Sequence, residues 1–146
     1  MQIGVPKEVK NHEYRVGLTP DSVQELVSAG HQVLVEQNAG AAIDFADEDF
    51  RRAGAVIVPS AAEVFARADM IVKIKEPQPD ECQMLKTGQL LFTYLHLAAD
   101  PRQAELLLKS GAIAMAYETV TDDRGHLPLL APMSEVAGRM AVQAGA

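Results

Sequence analysis

Leu90–Asp100 reads LLFTYLHLAAD, and this stretch indicates the fold more clearly than any other part of the chain. Six of the eight residues from Leu90 to Leu97 are apolar or aromatic, a pattern that predicts a strand covered on both faces of a parallel sheet. His96 stands where this apolar run ends. Open α/β sheets bind ligands beyond the carboxyl ends of their strands, so an imidazole at this edge is well placed to move a proton. For an isolated histidine, a ring bonded to the backbone is the simpler interpretation, and the remaining sequence must decide.

Strands and helices alternate on both sides of this stretch. Helices begin where a favoured capping residue precedes a proline or opens a capping box, at Thr19-Pro20, Asp100-Pro101 and Ser60. Such alternation is typical of βαβ units. The predicted strands are residues 3–6, 32–36, 55–58, 70–75, 90–96 and 112–119. We therefore predict an α/β fold, a doubly wound, mainly parallel sheet with helices on both faces, which is Rossmann-like or flavodoxin-like.

Three further segments need a separate interpretation. Lys7–Leu18 is polar and without a clear period, which predicts a long loop with room for a short strand. Asp122–Gly125 predicts a turn, the tip of a hairpin that returns through Leu127–Leu130. From Pro132 onward, apolar residues at helical spacing predict a final helix. Gln37–Ile43 lacks the glycine pattern that cradles a pyrophosphate, so we assign it no nucleotide role.

Length and composition restrict the class of protein. A chain of 146 residues suits one domain with a sizeable core. The formal net charge of −7 argues against nucleic acid or an anionic membrane as partner, and no apolar run approaches the roughly 20 residues of a membrane span. Cys82 is the single cysteine, which leaves no internal disulfide and no cysteine pair for a metal. We therefore expect a cytoplasmic protein without a metal site.

Three side chains that follow different predicted strands suggest a chemistry. Arg15 can bind a carboxylate through its fork of donors, a lysine supplies a point charge, and His96 can move a proton near neutral pH. Because a buried ammonium needs an anion, we expect Lys75, at the strand end, to meet an anionic ligand, with Lys73 bonded nearby. The set suits a small 2-oxo or 2-amino acid, although Arg15 taken alone is more simply a solvated loop charge.

Four segments, in order along the chain, resemble the alanine dehydrogenase family, which shares its N-terminal domain with the transhydrogenase alpha subunit. They are IGVPKEVKNHEYRVGLTP at 3–20, VKIKEPQPDE at 72–81, LLFTYLHLAAD at 90–100 and LAPMSEVAGRMAVQAGA at 130–146. The resemblance runs through the whole chain. It implies the N-terminal part of an enzyme that converts L-alanine, NAD and water to pyruvate, ammonia and NADH.

The resemblance also implies roles for individual residues. Arg15 would hold the substrate carboxylate, and Lys75 would bind and polarise the carbonyl of pyruvate. His96 would be the general acid and base for the formation and collapse of the carbinolamine. Tyr94 and Glu118 would line the substrate pocket.

Met133 and Ser134 match positions that approach the nicotinamide of NAD at a domain junction. By this resemblance, residues 1–131 form the substrate-binding domain and residues 132–146 begin a helix that leads to an NAD-binding domain beyond this chain. The family also implies a homo-oligomer, commonly a hexamer. We expect no NAD-dependent turnover from these residues alone.

Other interpretations remain open at this point. The NAD-binding subunit of proton-translocating transhydrogenase is similar in fold and in the opening IGVPKE motif, but it lacks a histidine that matches His96. A lysine-forming opine dehydrogenase is a more distant relative. A non-catalytic folded module, which only binds a ligand or other chains, is the alternative from a different class.

Overall fold

The computed structural model describes residues 1–146 and contains one sheet of six strands. The strands are β1 (Gln2–Val5), β2 (Gln32–Glu36), β3 (Val56–Val58), β4 (Met70–Val72), β5 (Leu90–Thr93) and β6 (Ile113–Ala116). Their order across the sheet is β3-β2-β1-β4-β5-β6, and every neighbouring pair is parallel. The prediction of a doubly wound parallel α/β fold is confirmed.

Six helices connect or follow these strands. They are α1 (Pro20–Ser28), α2 (Asp47–Arg52), α3 (Ala61–Arg67), α4 (Pro79–Met84), α5 (Pro101–Ser110) and α6 (Ala131–Gly145). Short 3-10 turns cover Ala41–Ile43, Leu97–Ala99 and Tyr117–Thr119. None of the helices combines the length and the apolar character that crossing a lipid bilayer requires.

The predicted helix starts are confirmed, with one difference. The Thr19 side chain accepts the Ser22 N–H at 3.3 Å, and the Asp100 carboxylate accepts the Gln103 N–H at 3.1 Å. The Ser60 hydroxyl likewise accepts the Glu63 N–H at 3.3 Å. The Glu63 carboxylate, however, pairs with Arg67 one turn along α3, so the predicted capping box is only half formed.

Two apolar clusters cover opposite faces of the sheet, because successive side chains along a strand alternate in direction. On one face Val33 and Val35 of β2 pack with Phe50 of α2. On the other face Leu34 of β2 packs in the cluster that contains Phe65 of α3. Both phenylalanine side chains are fully buried, and each contributes about 1.5–3 kcal/mol to folding by its burial.

The first face is covered by helices only over part of the sheet. Right-handed crossovers put helices on opposite faces of the two halves of a doubly wound sheet. An apolar groove of about 620 Å³ remains beside β5 and β6, and Phe92 and Met115 are among the residues that line it. Ile113, in the edge strand β6, is half exposed.

Three predicted strands extend three residues beyond the observed strand ends. β4 ends at Val72, β5 at Thr93 and β6 at Ala116, so Lys75 and His96 lie in connecting segments rather than in strands. β6 is followed directly by the 3-10 turn Tyr117–Thr119. At β4 and β5 the physical reason is that side-chain carboxylates accept backbone N–H groups just beyond the strand ends. Glu8 accepts the Ile74 N–H at 2.6 Å, and Glu118 accepts the Leu95 N–H at 3.0 Å.

The predicted return strand at Leu127–Leu130 is wrong. The turn itself is present, since Asp122 accepts the N–H groups of Arg124 and His126 at 2.9 and 2.8 Å. The residues after it form no strand. The Leu127 carbonyl instead accepts the Ala131 N–H at 2.9 Å, so this segment leads directly into α6.

Candidate functional site

The two middle strands, β1 and β4, mark the point where the strand order reverses. Ligands of open α/β sheets bind in the crevice at this point. In this chain the loop Lys7–Leu18, which follows β1, packs against the end of β4 at this point. Gly17 passes so close to the end of β4 that a Cβ atom on it would lie 2.5 Å from the Val72 carbonyl oxygen. The loop is therefore packed against the sheet, and its side chains form the floor of the site.

A buried ion cluster fixes this loop to the sheet. The Lys73 side chain is fully buried, and its Nζ lies 3.1 Å from Glu8 Oε2 and 2.7 Å from Glu81 Oε1. Glu8 also accepts the backbone N–H groups of Ile74 and Lys75 at 2.6 and 3.4 Å. Burial raises the pKa of Glu8, and the attraction of Lys73 opposes this shift. The cluster therefore determines the turn from which Lys75 emerges.

Arg15 is held by a glutamate two residues before it. Arg15 Nε and Nη2 donate to the Glu13 carboxylate at 2.8 and 2.7 Å, and the Arg15 backbone N–H donates to the same group at 3.0 Å. Arg15 Nη1 lies 3.3 Å from the sulfur of Met133 at the start of α6. The pKa of Glu13 is lowered to about 2, chiefly by the hydrogen bond from the Arg15 side chain, and the charge of Lys75 makes a smaller contribution to this shift. Arg15 and Lys75 thus act on one carboxylate.

Glu118 holds the turn that carries His96. Its carboxylate accepts the His96 N–H at 2.8 Å and the Leu95 N–H at 3.0 Å. Burial raises the pKa of Glu118, but these backbone donors outweigh burial, and the pKa lies below its ordinary value. The hydrogen bonds to Glu118 support His96 in a left-handed conformation with φ of 49°, which few residues other than glycine adopt.

Tyr94 links the histidine to the arginine. Its ring stacks on that of His96, with centroids 6.0 Å apart and planes inclined by 12°. Its hydroxyl donates to the Leu129 carbonyl. Burial raises the pKa of Tyr94, and the positive charge of Arg15 opposes that shift. The phenol therefore stays protonated between the two groups near neutral pH.

A cleft of about 360 Å³ opens between these elements. It is mainly apolar, and a guanidinium is the only cation in its lining, which suits a small ligand with one carboxylate. The lining residues are Arg15, Gly17, Ile74, Phe92, Tyr94, Tyr117, Leu129 and Met133.

The structure brings some of the predicted site residues to this cleft and leaves others beside it. Three of the seven line the cleft: Arg15, Tyr94 and Met133. Lys75 is close enough to act on Glu13, and His96 is exposed and stacks on Tyr94. The Glu118 carboxylate is engaged with backbone N–H groups. Ser134 is exposed in the first turn of α6, where its N–H donates to Leu130. The chemical roles of all seven stay predictions.

Three acidic residues were missed by sequence reasoning: Glu8, Glu13 and Glu81. Glu8 and Glu13 lie in a polar loop without a period, where most carboxylates are solvated. The one sequence feature that could have indicated Glu8 and Glu81 is Lys73, because a lysine in a buried apolar strand requires a buried anion. Nothing in the sequence distinguishes which of the nearby acids supplies it.

Comparison with known proteins gives consistent results. Residues 4–137 match the family described as "Alanine dehydrogenase/PNT, N-terminal domain". A curated alanine dehydrogenase from Halomonas elongata is 57% identical over 146 residues, which are 100% of this chain and 39% of that protein. A solved structure described as L-alanine dehydrogenase matches with a TM-score of 0.93 and 55% identity, over 100% of this chain and 40% of that one.

A more remote structural match is a transhydrogenase from Sinorhizobium meliloti. It has a TM-score of 0.78 and 26% identity, over 85% of this chain and 37% of that one. In each of these comparisons the chain spans about two-fifths of the length of the protein that it matches or less, as the 39%, 40% and 37% coverages show.

Proposed function

The chain belongs to the family of alanine dehydrogenase/PNT N-terminal domains, and from this premise we propose that it is the substrate-binding part of an NAD-dependent alanine dehydrogenase. The observation that carries the proposal is Arg15, which presents a clamped guanidinium to a small apolar cleft beyond the carboxyl ends of parallel strands. Pyruvate and alanine combine one carboxylate with a methyl group. A cleft with one cation and apolar walls matches both features.

In the proposed reaction, Arg15 and Lys75 orient the substrate. Arg15 binds the carboxylate through the guanidinium edge that Glu13 leaves free. Lys75 directs its ammonium toward the carbonyl oxygen of pyruvate, where a positive charge stabilises the negative charge that develops on addition of ammonia. Lys75 is suited to this position because Glu8 holds its backbone N–H and Thr93 donates to its carbonyl at 2.9 Å.

His96 moves the proton in this proposal. As a base it removes a proton from the water that attacks the imino carbon in the deamination direction, and as an acid it protonates the leaving amine. Its turn is fixed by Glu118, and its ring is oriented by Tyr94. Tyr94 and Glu118 therefore act as supports of the pocket.

The residues of this chain fit only one end of NAD. At the crevice where open α/β sheets bind ligands, the loop Lys7–Leu18 lacks the glycine pattern that cradles a pyrophosphate, and Gly17 lies against the end of β4. Met133 and Ser134, by contrast, are exposed at the start of α6, and Met133 contacts Arg15 at the cleft. We propose that these two residues approach the nicotinamide. Bound NAD would accept the hydride from the substrate carbon.

The remaining proposals concern organisation and location. We propose that residues 1–131 are the substrate domain and that the segment 132–146 is a connecting helix, since no residue of α6 is buried. Exposed apolar side chains on β6 and α6 support a homo-oligomer. The free, buried thiol of Cys82 supports a reducing compartment, the cytoplasm.

Calorimetric titration with pyruvate tests the function. We expect the chain to bind pyruvate and the Arg15→Ala variant to lose that binding. The matched control is Arg67→Ala, which removes an exposed ion pair on α3 and should leave binding unchanged. Absence of pyruvate binding to the unaltered chain would contradict the proposal.

Two alternatives make different predictions in the same experiment. A transhydrogenase subunit has no substrate amino acid, so it would bind NAD and not pyruvate. The lower identity of the transhydrogenase match, 26% against 55%, also disfavours it. A non-catalytic module would bind neither pyruvate nor alanine, and His96→Ala would then have no effect on any ligand.

A further inference from the structure

Glu13 occupies one of the two edges through which Arg15 can bind a carboxylate. A guanidinium offers donors along the Nε/Nη2 edge and along the Nη1/Nη2 edge. Glu13 takes the first edge with two hydrogen bonds of 2.8 and 2.7 Å. Only the second edge remains, and Nη1 on that side lies near the sulfur of Met133. One external carboxylate can therefore bind, in one orientation.

Glu13 also sets the charge that an incoming ligand meets. The Glu13 side chain is 7% exposed, whereas that of Arg15 is 43% exposed. An incoming ligand therefore meets the arginine of this pair before the glutamate. Lys75 acts on the same carboxylate. Glu13 thus lies between two cations, of which only Arg15 lines the cleft. The other nearby acids are committed elsewhere, Glu8 to Lys73 and Glu118 to backbone donors.

From these contacts we propose that Glu13 is a specificity-determining residue, which acts through Arg15 and makes the cleft select 2-oxo acids with one carboxylate over those with two. The inference rests on the proposed function, because it assumes that the cleft binds a 2-oxo acid. A second carboxylate on the ligand would meet the Glu13 charge and would find no free donor edge. A methyl group in its place meets the apolar walls of the cleft.

The test compares the binding of pyruvate and oxaloacetate, which differ by one carboxylate. Their dissociation constants are measured by calorimetry for the unaltered chain and for Glu13→Gln. Glutamine keeps the shape and one acceptor but removes the charge. We expect the ratio of the oxaloacetate constant to the pyruvate constant to fall by roughly tenfold, the effect of one unit charge a few ångströms away in a partly exposed site.

Two further variants separate charge from structure. Glu13→Asp keeps the charge and should retain the preference for pyruvate. Glu76→Gln removes a carboxylate charge that pairs with Lys10, a residue of the same loop as Glu13. Neither Glu76 nor Lys10 lines the cleft, so this variant should leave the ratio of the two dissociation constants unchanged. Circular dichroism verifies that each variant is folded.

The possible outcomes are distinct. A Glu13→Gln variant that weakens both acids equally would mean that Glu13 only holds Arg15 in place, and this result would overturn the inference. An equal change in ratio for Glu76→Gln would attribute the preference to net charge and would overturn it as well. If the unaltered chain binds neither acid, the proposed function itself fails.

Discussion

Glu8 and Glu118 make the same kind of contact at two neighbouring strands. Each carboxylate accepts two successive backbone N–H groups just beyond a strand end, and each thereby turns the chain before a predicted functional residue, Lys75 or His96. A carboxylate is a strong acceptor for such donors. The positions of the ammonium and the imidazole are therefore set by residues that need not contact a substrate.

His96 allows a test of this arrangement. Its left-handed conformation is unfavourable for most side chains, whereas asparagine tolerates it. We expect His96→Asn to raise the free energy of unfolding by up to about 1 kcal/mol, measured by urea denaturation. His12→Asn is a matched control, because His12 has φ of 61° outside the cleft.

The two variants should differ in function although they agree in stability. His96→Asn removes the group proposed to move the proton, and His12→Asn does not. If His96→Asn instead destabilises the fold while His12→Asn does not, the His96 imidazole makes structural contacts that outweigh the backbone strain, and its role would need revision.

At the scale of elements, the ion cluster joins three segments that are far apart in sequence. Glu8 comes from the loop after β1, Lys73 from the end of β4 and Glu81 from α4. Two carboxylates and one ammonium are buried together. Removal of one partner from such a cluster leaves an uncompensated buried charge.

We therefore expect Lys73→Met to lower the free energy of unfolding by about 3–5 kcal/mol. Methionine fills a similar volume, so the loss would come from the charge and not from a cavity. Urea denaturation measures the change. In the triple variant with Glu8→Gln and Glu81→Gln, most of the stability should return, because no unpaired charge remains. A triple variant as unstable as Lys73→Met would mean that packing, and not charge, is the cause.

At the scale of the whole molecule, the sequence was sufficient for the architecture and insufficient for the strand ends. Apolar runs and caps such as Thr19 and Asp100 are local signals, and they located all six strands and the helices. The ends of β4 and β5 depend on Glu8 and Glu118, which lie 66 and 23 positions from the amides of Ile74 and Leu95. No local pattern encodes contacts over such separations.

The same reason limits prediction of the site. Arg15, Lys75 and His96 were selected from their positions after predicted strands, and the family resemblance supplied their roles. The clamp of Glu13 on Arg15 was missed, although the two residues are two positions apart. A glutamate near an arginine in a polar loop is ordinary, and only the fold shows that this pair is turned toward a cleft. The prediction of a return strand at Leu127–Leu130 was wrong because a segment that follows a turn is compatible with the start of a helix as well as with a strand.

Hydrogen exchange should divide the molecule into two regions. All residues of α6 are exposed, whereas β1 and β2 are mostly buried. Amides of β2 should exchange only through global unfolding, and amides of residues 136–145 should exchange within seconds, as expected of a helix without tertiary packing. Exchange is measured by NMR at two protein concentrations, because association of chains through α6 would slow its exchange only at the higher one. Slow exchange in α6 at all concentrations would contradict the division at residue 131.

The pairing of β1 with β4 also has a consequence in time. Ile3 pairs with Met70, so the first strand to be synthesised keeps an open edge until the fourth has appeared. At translation rates of about 5–20 residues per second, this interval lasts roughly 3–14 seconds. During this interval Glu8 lacks its partner Lys73, and the loop Lys7–Leu18 lacks the end of β4 against which Gly17 packs. The residues proposed to set the selectivity of the cleft, Glu13 and Arg15, are therefore synthesised before Phe92 of β5 and Met133 of α6, which complete its lining.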